Sequence, residues 1–165
     1  MIRILIADDH QLLIDGIKAN LSDITDFEFV AKANNGYQVL EQLEEGLQVD
    51  IILMDINMPK LDGLATTKKV TKQFPDVKVI ALSQYDEKRF VKLMVKNGAS
   101  GYLLKDADKD TLEKAIRTVY GGESYFCDRL SIRLVSQELK MENTRDLFPK
   151  LTEREVEILN MICQE

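Results

Sequence analysis

The sequence predicts an α/β fold in which a doubly wound, five-stranded parallel sheet is covered by helices on both faces. Over residues 1–121, short runs typical of strands alternate five times with segments of helical periodicity. Most of the strand-like runs are apolar almost throughout, as is usual for parallel strands that are buried on both faces. Repeated strand–helix units of this kind build parallel sheets through right-handed crossovers. We therefore expect one α/β domain over residues 1–121.

The five predicted strands differ in how far they are covered. The first, third and fourth are apolar runs, which favours interior positions in the sheet. The second alternates, with Phe27, Phe29 and Ala31 on one face, and this favours a half-exposed edge strand. The predicted strands are residues 2–7, 27–33, 51–54, 77–82 and 101–104.

Helical periodicity separates the strands and is clearest in the last helix. There, apolar residues recur at i, i+3, i+4, i+7 and i+8 from Leu112 to Tyr120. Gly121 and Gly122 then provide a C-terminal stop. The predicted helices are residues 11–21, 36–45, 63–74, 87–97 and 108–120.

Of the two common strand orders of doubly wound sheets, 2-1-3-4-5 fits this pattern better. It places the alternating second strand at an edge and puts the first and third strands side by side. This is the flavodoxin-like order. Its ligand crevice lies where the order reverses, beyond the carboxyl ends of the first and third strands.

Beyond the fifth helix the pattern changes. Residues 122–149 are predicted to form a linker that contains a short amphipathic helix within residues 127–141. Residues 150–165 open another helix, in which Thr152 and Glu155 form a capping box. Because a single helix cannot bury its own apolar face, we expect residues 150–165 to be the start of a further domain of a longer protein.

Composition and charge describe an ordinary soluble globular protein. The 165 residues are 45% hydrophobic and 30% charged, with a formal net charge of −6. No part has the basic surplus of a nucleic-acid surface, and no run approaches the ~18 apolar residues of a membrane span. Since no signal-peptide pattern is present, we expect a cytoplasmic protein without a membrane partner. Cys127 and Cys163 lack the spacing of a metal site or a disulfide framework.

Polar side chains mark the ends of four predicted strands. Asp8 and Asp9 follow the first strand and Asp55 follows the third, so the carboxylates are expected to meet at the crevice. Carboxylates gathered in this way repel one another unless a hard divalent cation such as Mg²⁺ neutralises them. Ser83 and Lys105 end the fourth and fifth strands and would supply donors to a phosphoryl group. Each residue alone also suits a capping or solvated position, but the combination indicates phosphoryl chemistry.

Four motifs within residues 1–121 extend this pattern, namely Asp8-Asp9, Met54-Asp55-Ile56-Asn57-Met58-Pro59 with Asp62-Gly63, Ala81-Leu82-Ser83, and Tyr102-Leu103-Leu104-Lys105. Together they resemble the receiver domain of two-component response regulators. The Asp-Asp-His start, the segment 101–106 and the opening of the last helix at 151–155 resemble the NarL/FixJ branch, whose output is a LuxR-type helix-turn-helix. On this resemblance, residues 150–165 would begin such a helix-turn-helix domain.

The resemblance implies a role for each residue of the acidic cluster. Asp55 would be the phosphoacceptor, taking a phosphoryl group from a phosphohistidine of a sensor histidine kinase. Mg²⁺ would be the cofactor, coordinated by Asp9, Asp55 and the backbone carbonyl of Asn57, while Asp8 would act mainly through water. Lys105 would pair with the phosphoryl oxygens.

The resemblance also implies how the signal would leave the site. Ser83 would bind the phosphoryl group together with Lys105, and Tyr102 would rotate with the Ser83 hydroxyl. Asn57 and Tyr85 would tune the phosphoryl lifetime. Phosphorylation would favour a homodimer, formed through the surface of helix 4, strand 5 and helix 5 or through the helix 1 and helix 5 face. DNA would be contacted only through the remainder of the effector domain, which these residues lack.

Other functions stay open on the residues alone. A Mg²⁺-dependent phosphatase or phosphotransferase also uses an aspartyl phosphate, although the haloacid-dehalogenase-like pattern requires a second Asp where Asn57 stands. A flavodoxin-like FMN binder would share the fold, but Asp8 and Asp9 would repel its anionic cofactor. A domain that keeps the fold without being phosphorylated is the third alternative. We expect a phosphoacceptor that assists its own phosphorylation and dephosphorylation rather than an enzyme, and a partly exposed helix-start position for His10 rather than a phosphohistidine.

Overall fold

The computed structural model describes residues 1–84 and 88–126, which form a six-stranded parallel sheet with five helices. The strand order is β2-β1-β3-β4-β5-β6, so the predicted order 2-1-3-4-5 is confirmed and one strand is added. The strands are β1 (Ile2–Ala7), β2 (Phe27–Ala33), β3 (Ile51–Asp55), β4 (Lys78–Ser83), β5 (Gly101–Leu104) and β6 (Tyr125–Phe126). The helices are α1 (Gln11–Asn20), α2 (Gly36–Glu44), α3 (Gly63–Gln73), α4 (Lys88–Lys96) and α5 (Lys109–Tyr120).

Each face of the sheet carries its own apolar core, as the doubly wound prediction requires. Alternate residues of the interior strands point to opposite faces, so Ile52 and Leu53 of β3 belong to different cores. One core packs the sheet against buried residues of α2, α3 and α4, and the other packs it against α1 and α5. Since both faces are covered, the central strands are apolar almost throughout, and polar side chains are left to their ends.

The edge strand β2 departs from the predicted alternation. Ile4 pairs with Phe29 but Leu5 pairs with Ala31, so Val30 is an extra residue in the ladder. As a result Phe29 packs with the α1 and α5 core, while Val30 and Ala31 pack together against the other core. The edge position is confirmed, and the single uninterrupted alternation over residues 27–33 is wrong beyond Phe29.

The sixth strand falls within the predicted linker of residues 122–149, whose first part is therefore not simply a linker. Tyr125 N donates to the Ser100 carbonyl at 3.0 Å, and Gly101 pairs with Tyr125. A Cβ atom at position 101 would lie 3.1 Å from the Tyr125 carbonyl oxygen, so the absence of a side chain lets β6 approach. A two-residue strand has no periodicity, and only pairing with β5 defines it. The predictions for residues 127–165 lie outside the described residues.

The remaining boundaries match the prediction within about one residue. Strand β3 extends to Asp55 because this residue still pairs with Leu82. Helices α2, α3 and α5 begin after Asn35, Asp62 and Asp108, whose side chains each accept a hydrogen bond from the first turn. Within the part of the chain that the structure describes, no helix has both the length and the apolar character needed to cross a membrane.

An ion pair joins the amino ends of the central strands. Asp50, which precedes β3, accepts hydrogen bonds from the backbone N of Arg3 at 2.7 Å and from its Nη2 at 2.6 Å. The pKa of Asp50 lies below its ordinary value, chiefly because the Arg3 guanidinium donates to the carboxylate. The pair therefore stabilises the ionised carboxylate at this end of the sheet.

Candidate functional site

The predicted site residues lie at the carboxyl end of the sheet, on four neighbouring strands. Ala7 pairs with Met54, so Asp8 leaves β1 beside Asp55 at the end of β3. Ser83 ends β4 in register with Leu104. Lys105 follows directly, and its backbone N donates to the Ser83 carbonyl at 2.7 Å. The parallel register thus places these side chains at one edge of the sheet.

Asp8 is completely buried and both its carboxylate oxygens are occupied. Its Oδ2 accepts from Lys105 Nζ at 2.7 Å. Its Oδ1 accepts from the backbone N of His10 at 2.8 Å, which fixes the turn from β1 into α1. The Asp8 side chain therefore links the end of β1 both to the lysine and to the start of the next helix.

Asp55 is 2% exposed and lies beside the same lysine. Lys105 Nζ is 3.0 Å from Asp55 Oδ2, and the backbone N of Asn57 donates to Asp55 Oδ1 at 3.3 Å. Burial raises the pKa of Asp55 above its ordinary value, and the negative charge of Asp8 adds to this rise. Lys105 and the Asn57 backbone act in the opposite direction without cancelling the rise. The ionised carboxylate is thus less favourable at position 55 than in water.

Lys105 is the cation that holds the two buried carboxylates together. Its side chain is only 8% exposed. Burial acts to lower the pKa of Lys105, but the hydrogen bonds to Asp8 and Asp55 outweigh it, so the pKa is raised overall. Lys105 therefore stays an ammonium group, with its charge directed at the two carboxylates.

Asp9 and His10 form the exposed side of the cluster. Their side chains are 33% and 63% exposed. His10 occupies the position before α1, as predicted, and its Nδ1 lies 3.0 Å from Asp9 Oδ1 and 3.2 Å from Asp8 Oδ1. One ligand atom from each of Asp8, Asp9, His10 and Asp55 lies within 4.8 Å of the others. His10 is an addition to the residues that the sequence predicts for this cluster, and its position directly after Asp9 was a usable signal.

The loop after β3 brings the start of α3 against the backbone of Asp55. Gly63 N donates to the Ile56 carbonyl at 2.9 Å, and Asp62 caps the helix by accepting from Ala65 N at 2.7 Å. A Cβ atom at position 63 would lie 2.0 Å from the Asp55 carbonyl oxygen. The sequence motif contains Gly63, but only the fold shows that a side chain there would displace Asp55. Asn57, in the same loop, has an exposed position.

Ser83 and Tyr102 occupy neighbouring strands close to Lys105. Ser83 is 2% exposed and Tyr102 is completely buried in the core between the sheet and helices α2 to α4. The structure therefore places both predicted switch residues inside the molecule, Ser83 at the edge of the acidic cluster and Tyr102 one strand further from Asp55. Tyr85, the remaining predicted residue, lies outside the described residues.

The donor set of this site suits a hard divalent cation. Three carboxylates and one ammonium group leave the cluster with a negative charge, and each carboxylate offers an oxygen atom as a metal ligand. Oxygen ligands are those that Mg²⁺ prefers. With a cation and a lysine around one carboxylate, the arrangement can bind a phosphoryl group and stabilise charge on its oxygens.

Comparison with known sequences gives a consistent result. Residues 4–117 match the family described as the response regulator receiver domain. The transcriptional regulatory protein DegU of Brevibacillus brevis is 40% identical over 142 residues, covering 86% of this chain and 60% of the DegU chain. The response regulator GacA of Pseudomonas viridiflava is 35% identical over 167 residues, covering all of this chain and 78% of GacA. The chain thus spans about three fifths of DegU and more of GacA.

Solved structures show the same fold. The signal receiver domain of the putative response regulator NarL from Mycobacterium tuberculosis is 30% identical, with a TM-score of 0.69, covering 74% of this chain and 98% of that one. The RcsB response regulator of Salmonella typhimurium is 21% identical, with a TM-score of 0.72, covering 98% of this chain and 76% of RcsB. The second similarity concerns the fold alone.

Proposed function

The chain belongs to the response regulator receiver domain family, and on this premise we propose that Asp55 is the residue that accepts the phosphoryl group. One observation carries the proposal. The Asp55 carboxylate is buried at the carboxyl end of the sheet, 3.0 Å from Lys105 Nζ, among the other carboxylates of the acidic cluster. Open α/β sheets bind their ligands at this end of the strands.

The proposed reaction is an in-line transfer from a phosphohistidine of a sensor histidine kinase. An Asp55 carboxylate oxygen attacks phosphorus, a P–O bond forms, and the P–N bond to the histidine breaks with its electron pair leaving on the imidazole. Lys105 already contacts Asp55 Oδ2, so its ammonium group is placed to donate to the oxygens of the incoming phosphoryl group. Because Lys105 lowers the pKa of Asp55 against the effect of burial, it also favours the nucleophilic carboxylate form.

Four residues are proposed to hold Mg²⁺ in this site. Asp9, Asp55 and the backbone carbonyl of Asn57 are the proposed ligands, and Asp8 acts through water. When bound, the ion neutralises the carboxylates and the charge on the phosphoryl oxygens. Lys105 Nζ contacts both buried carboxylates of the site, at 2.7 Å from Asp8 Oδ2 and 3.0 Å from Asp55 Oδ2.

Phosphorylation is proposed to change the partners of Lys105 and Ser83. A phosphoryl group on Asp55 competes with Asp8 for the Lys105 ammonium group and gives the Ser83 hydroxyl a new acceptor. Tyr102 then moves with Ser83, so that phosphorylation changes the conformation of β5, the strand that carries Tyr102. Homodimerisation, through either the α4, β5 and α5 surface or the α1 and α5 face, and control of a DNA-binding output in the whole protein are the proposed consequences. Asn57 and Tyr85 are proposed to set the lifetime of the phosphoryl group.

Phosphorylation by a small donor tests the assignment directly. With Mg²⁺ and acetyl phosphate, the intact mass of the wild-type protein should rise by one phosphoryl group, and omission of Mg²⁺ should prevent the rise. Asp55→Asn should abolish it. Asp50→Asn is the matched control, because it makes the same change at the opposite end of the sheet. Labelling of the Asp55→Asn variant at the wild-type rate would refute the site.

A further inference from the structure

The most informative feature outside the proposed phosphoryl chemistry is the histidine beside the acidic cluster. His10 Nδ1 lies 3.0 Å from Asp9 Oδ1 and 3.2 Å from Asp8 Oδ1, at hydrogen-bonding distance from both carboxylates. A neutral imidazole has one protonated and one unprotonated nitrogen, so an unprotonated Nδ1 directs a lone pair at the point where the carboxylates converge. The imidazole is therefore placed either to donate a hydrogen bond to the carboxylates or to share a cation with them.

Hydrogen bonds fix the backbone of His10, whereas its imidazole ring is exposed and has room to rotate. His10 N donates to Asp8 Oδ1 at 2.8 Å, and the His10 carbonyl accepts from Leu13 N at 3.0 Å and Ile14 N at 3.3 Å. In contrast, the side chain is 63% exposed, and it accepts or donates no capping hydrogen bond with α1. The ring can therefore adjust to a cation without disturbing the strand or the helix.

Nitrogen and oxygen ligands distinguish between classes of divalent cation. Mg²⁺ prefers oxygen ligands and keeps much of its water, whereas imidazole nitrogen suits Zn²⁺, Co²⁺ and Ni²⁺. The carboxylates of Asp8, Asp9 and Asp55 serve either class. Among the ligand atoms that the described residues bring to the cluster, only the His10 imidazole nitrogen favours Zn²⁺, Co²⁺ and Ni²⁺.

We propose that His10 becomes a nitrogen ligand when a transition-metal dication such as Zn²⁺ or Co²⁺ enters the acidic cluster, so that this site favours these ions over Mg²⁺. The inference rests on the proposed function in one respect, because it takes the acidic cluster to be the site at which Mg²⁺ supports phosphorylation. It goes further in giving the cluster a second class of ligand and in assigning His10 the selectivity.

The test measures metal binding rather than phosphorylation. Untagged protein is used, and since His10 is the single histidine of the chain, its ring nitrogens give one set of signals in ¹⁵N NMR spectra. Cys127→Ser and Cys163→Ser are included in every variant to remove competing thiolates. Zn²⁺ should shift the Nδ1 signal strongly, and Mg²⁺ should leave its chemical environment close to that of the metal-free protein.

Calorimetric titration of the variants completes the experiment. His10→Ala should lower the ratio of Zn²⁺ affinity to Mg²⁺ affinity on the order of tenfold, since a nitrogen ligand is lost. Gln11→Ala, which changes the neighbouring exposed residue, should leave the ratio unchanged. An unshifted Nδ1 signal on Zn²⁺ binding, or an equal effect of His10→Ala on both ions, would overturn the inference. Failure of the proposed function would be visible separately, as wild-type protein that takes no phosphoryl group with Mg²⁺.

Discussion

The two ends of the sheet each hold a carboxylate beside a cationic side chain, and the surroundings give the two carboxylates opposite properties. At the amino end, Asp50 meets Arg3 near the surface, where hydrogen bonds from Arg3 lower the pKa of Asp50. At the carboxyl end, Asp55 meets Lys105 in the interior, where burial and the charge of Asp8 raise the pKa of Asp55. The Asp50 pair favours the folded protein, whereas the Asp55 pair keeps a buried carboxylate in an unfavourable ionised state that a bound cation can relieve.

The largest expected effect concerns Lys105, the cationic side chain at the carboxyl end of the sheet. Lys105→Met should slow phosphorylation by acetyl phosphate on the order of 10²- to 10³-fold, because it removes the donor to the phosphoryl oxygens. Arg3→Met removes the cationic side chain at the amino end of the sheet. It should leave the phosphorylation rate within about twofold of the wild-type rate, since Arg3 lies far from the acidic cluster. Stopped-flow or mass-spectrometric time courses give both rates. Equal slowing by the two substitutions would remove the functional distinction between the ends.

A second prediction uses the contact between α3 and the backbone of Asp55. Gly63→Ala should destabilise the protein by about 1–3 kcal/mol, because the new Cβ atom would lie 2.0 Å from the Asp55 carbonyl oxygen. The same substitution should slow phosphorylation, since the carboxylate is displaced. Gly16→Ala, in the exposed face of α1, is the control: nothing lies within 4 Å of its new Cβ atom, and it should stabilise the protein slightly. Urea unfolding measures the stability of both variants, and the acetyl phosphate time course measures the rate.

A third prediction applies one substitution to both carboxylates. Asp50→Asn should lower the free energy of unfolding by about 1–2 kcal/mol, because it weakens hydrogen bonds between charged groups. Asp55→Asn should raise the free energy of unfolding of the metal-free protein by about 0.5–2 kcal/mol, because it removes a buried and unfavourable charge. Denaturant unfolding in the presence of a chelator tests both signs. A loss of stability in both variants would show that the two pairs serve the same purpose.

The smallest expected effect is the pH dependence of these two differences. The pKa of Asp50 is lowered on folding, so the stability that it contributes is complete above its unfolded pKa of about 4 and is lost as the pH falls through the lower folded value. The pKa of Asp55 is raised on folding, so wild-type protein loses stability as the pH rises from about 4 through the raised value. The advantage of Asp55→Asn should therefore vanish on acidification before the disadvantage of Asp50→Asn does. Unfolding curves between neutral and acid pH test this order.

The sequence predicts the carboxyl end of the sheet well because its geometry follows from the chain direction. Parallel strands end at a common edge, so Asp8, Asp55, Ser83 and Lys105 are placed by strand order and register alone. The same reasoning orders the strands, since the pattern of apolar residues shows which are buried on both faces.

Other features depend on contacts that no local pattern specifies. The extra residue Val30 in β2 and the short strand β6 are defined by pairing with β1 and β5. Neither feature has a signature in the amino-acid composition of its own segment. The approach of Gly63 to Asp55 requires the folded loop between β3 and α3. His10 was correctly placed at a helix start, but its ring direction is a property of the assembled cluster.

The most direct test of the central assignment locates the phosphoryl group on the chain. Borohydride reduces an aspartyl phosphate to homoserine, so treatment of the phosphorylated protein followed by peptide mass spectrometry identifies the acceptor residue. Homoserine is expected at position 55, with unmodified aspartate at positions 8, 9 and 50. Homoserine at another position, with Asp55 intact in the same sample, would contradict it.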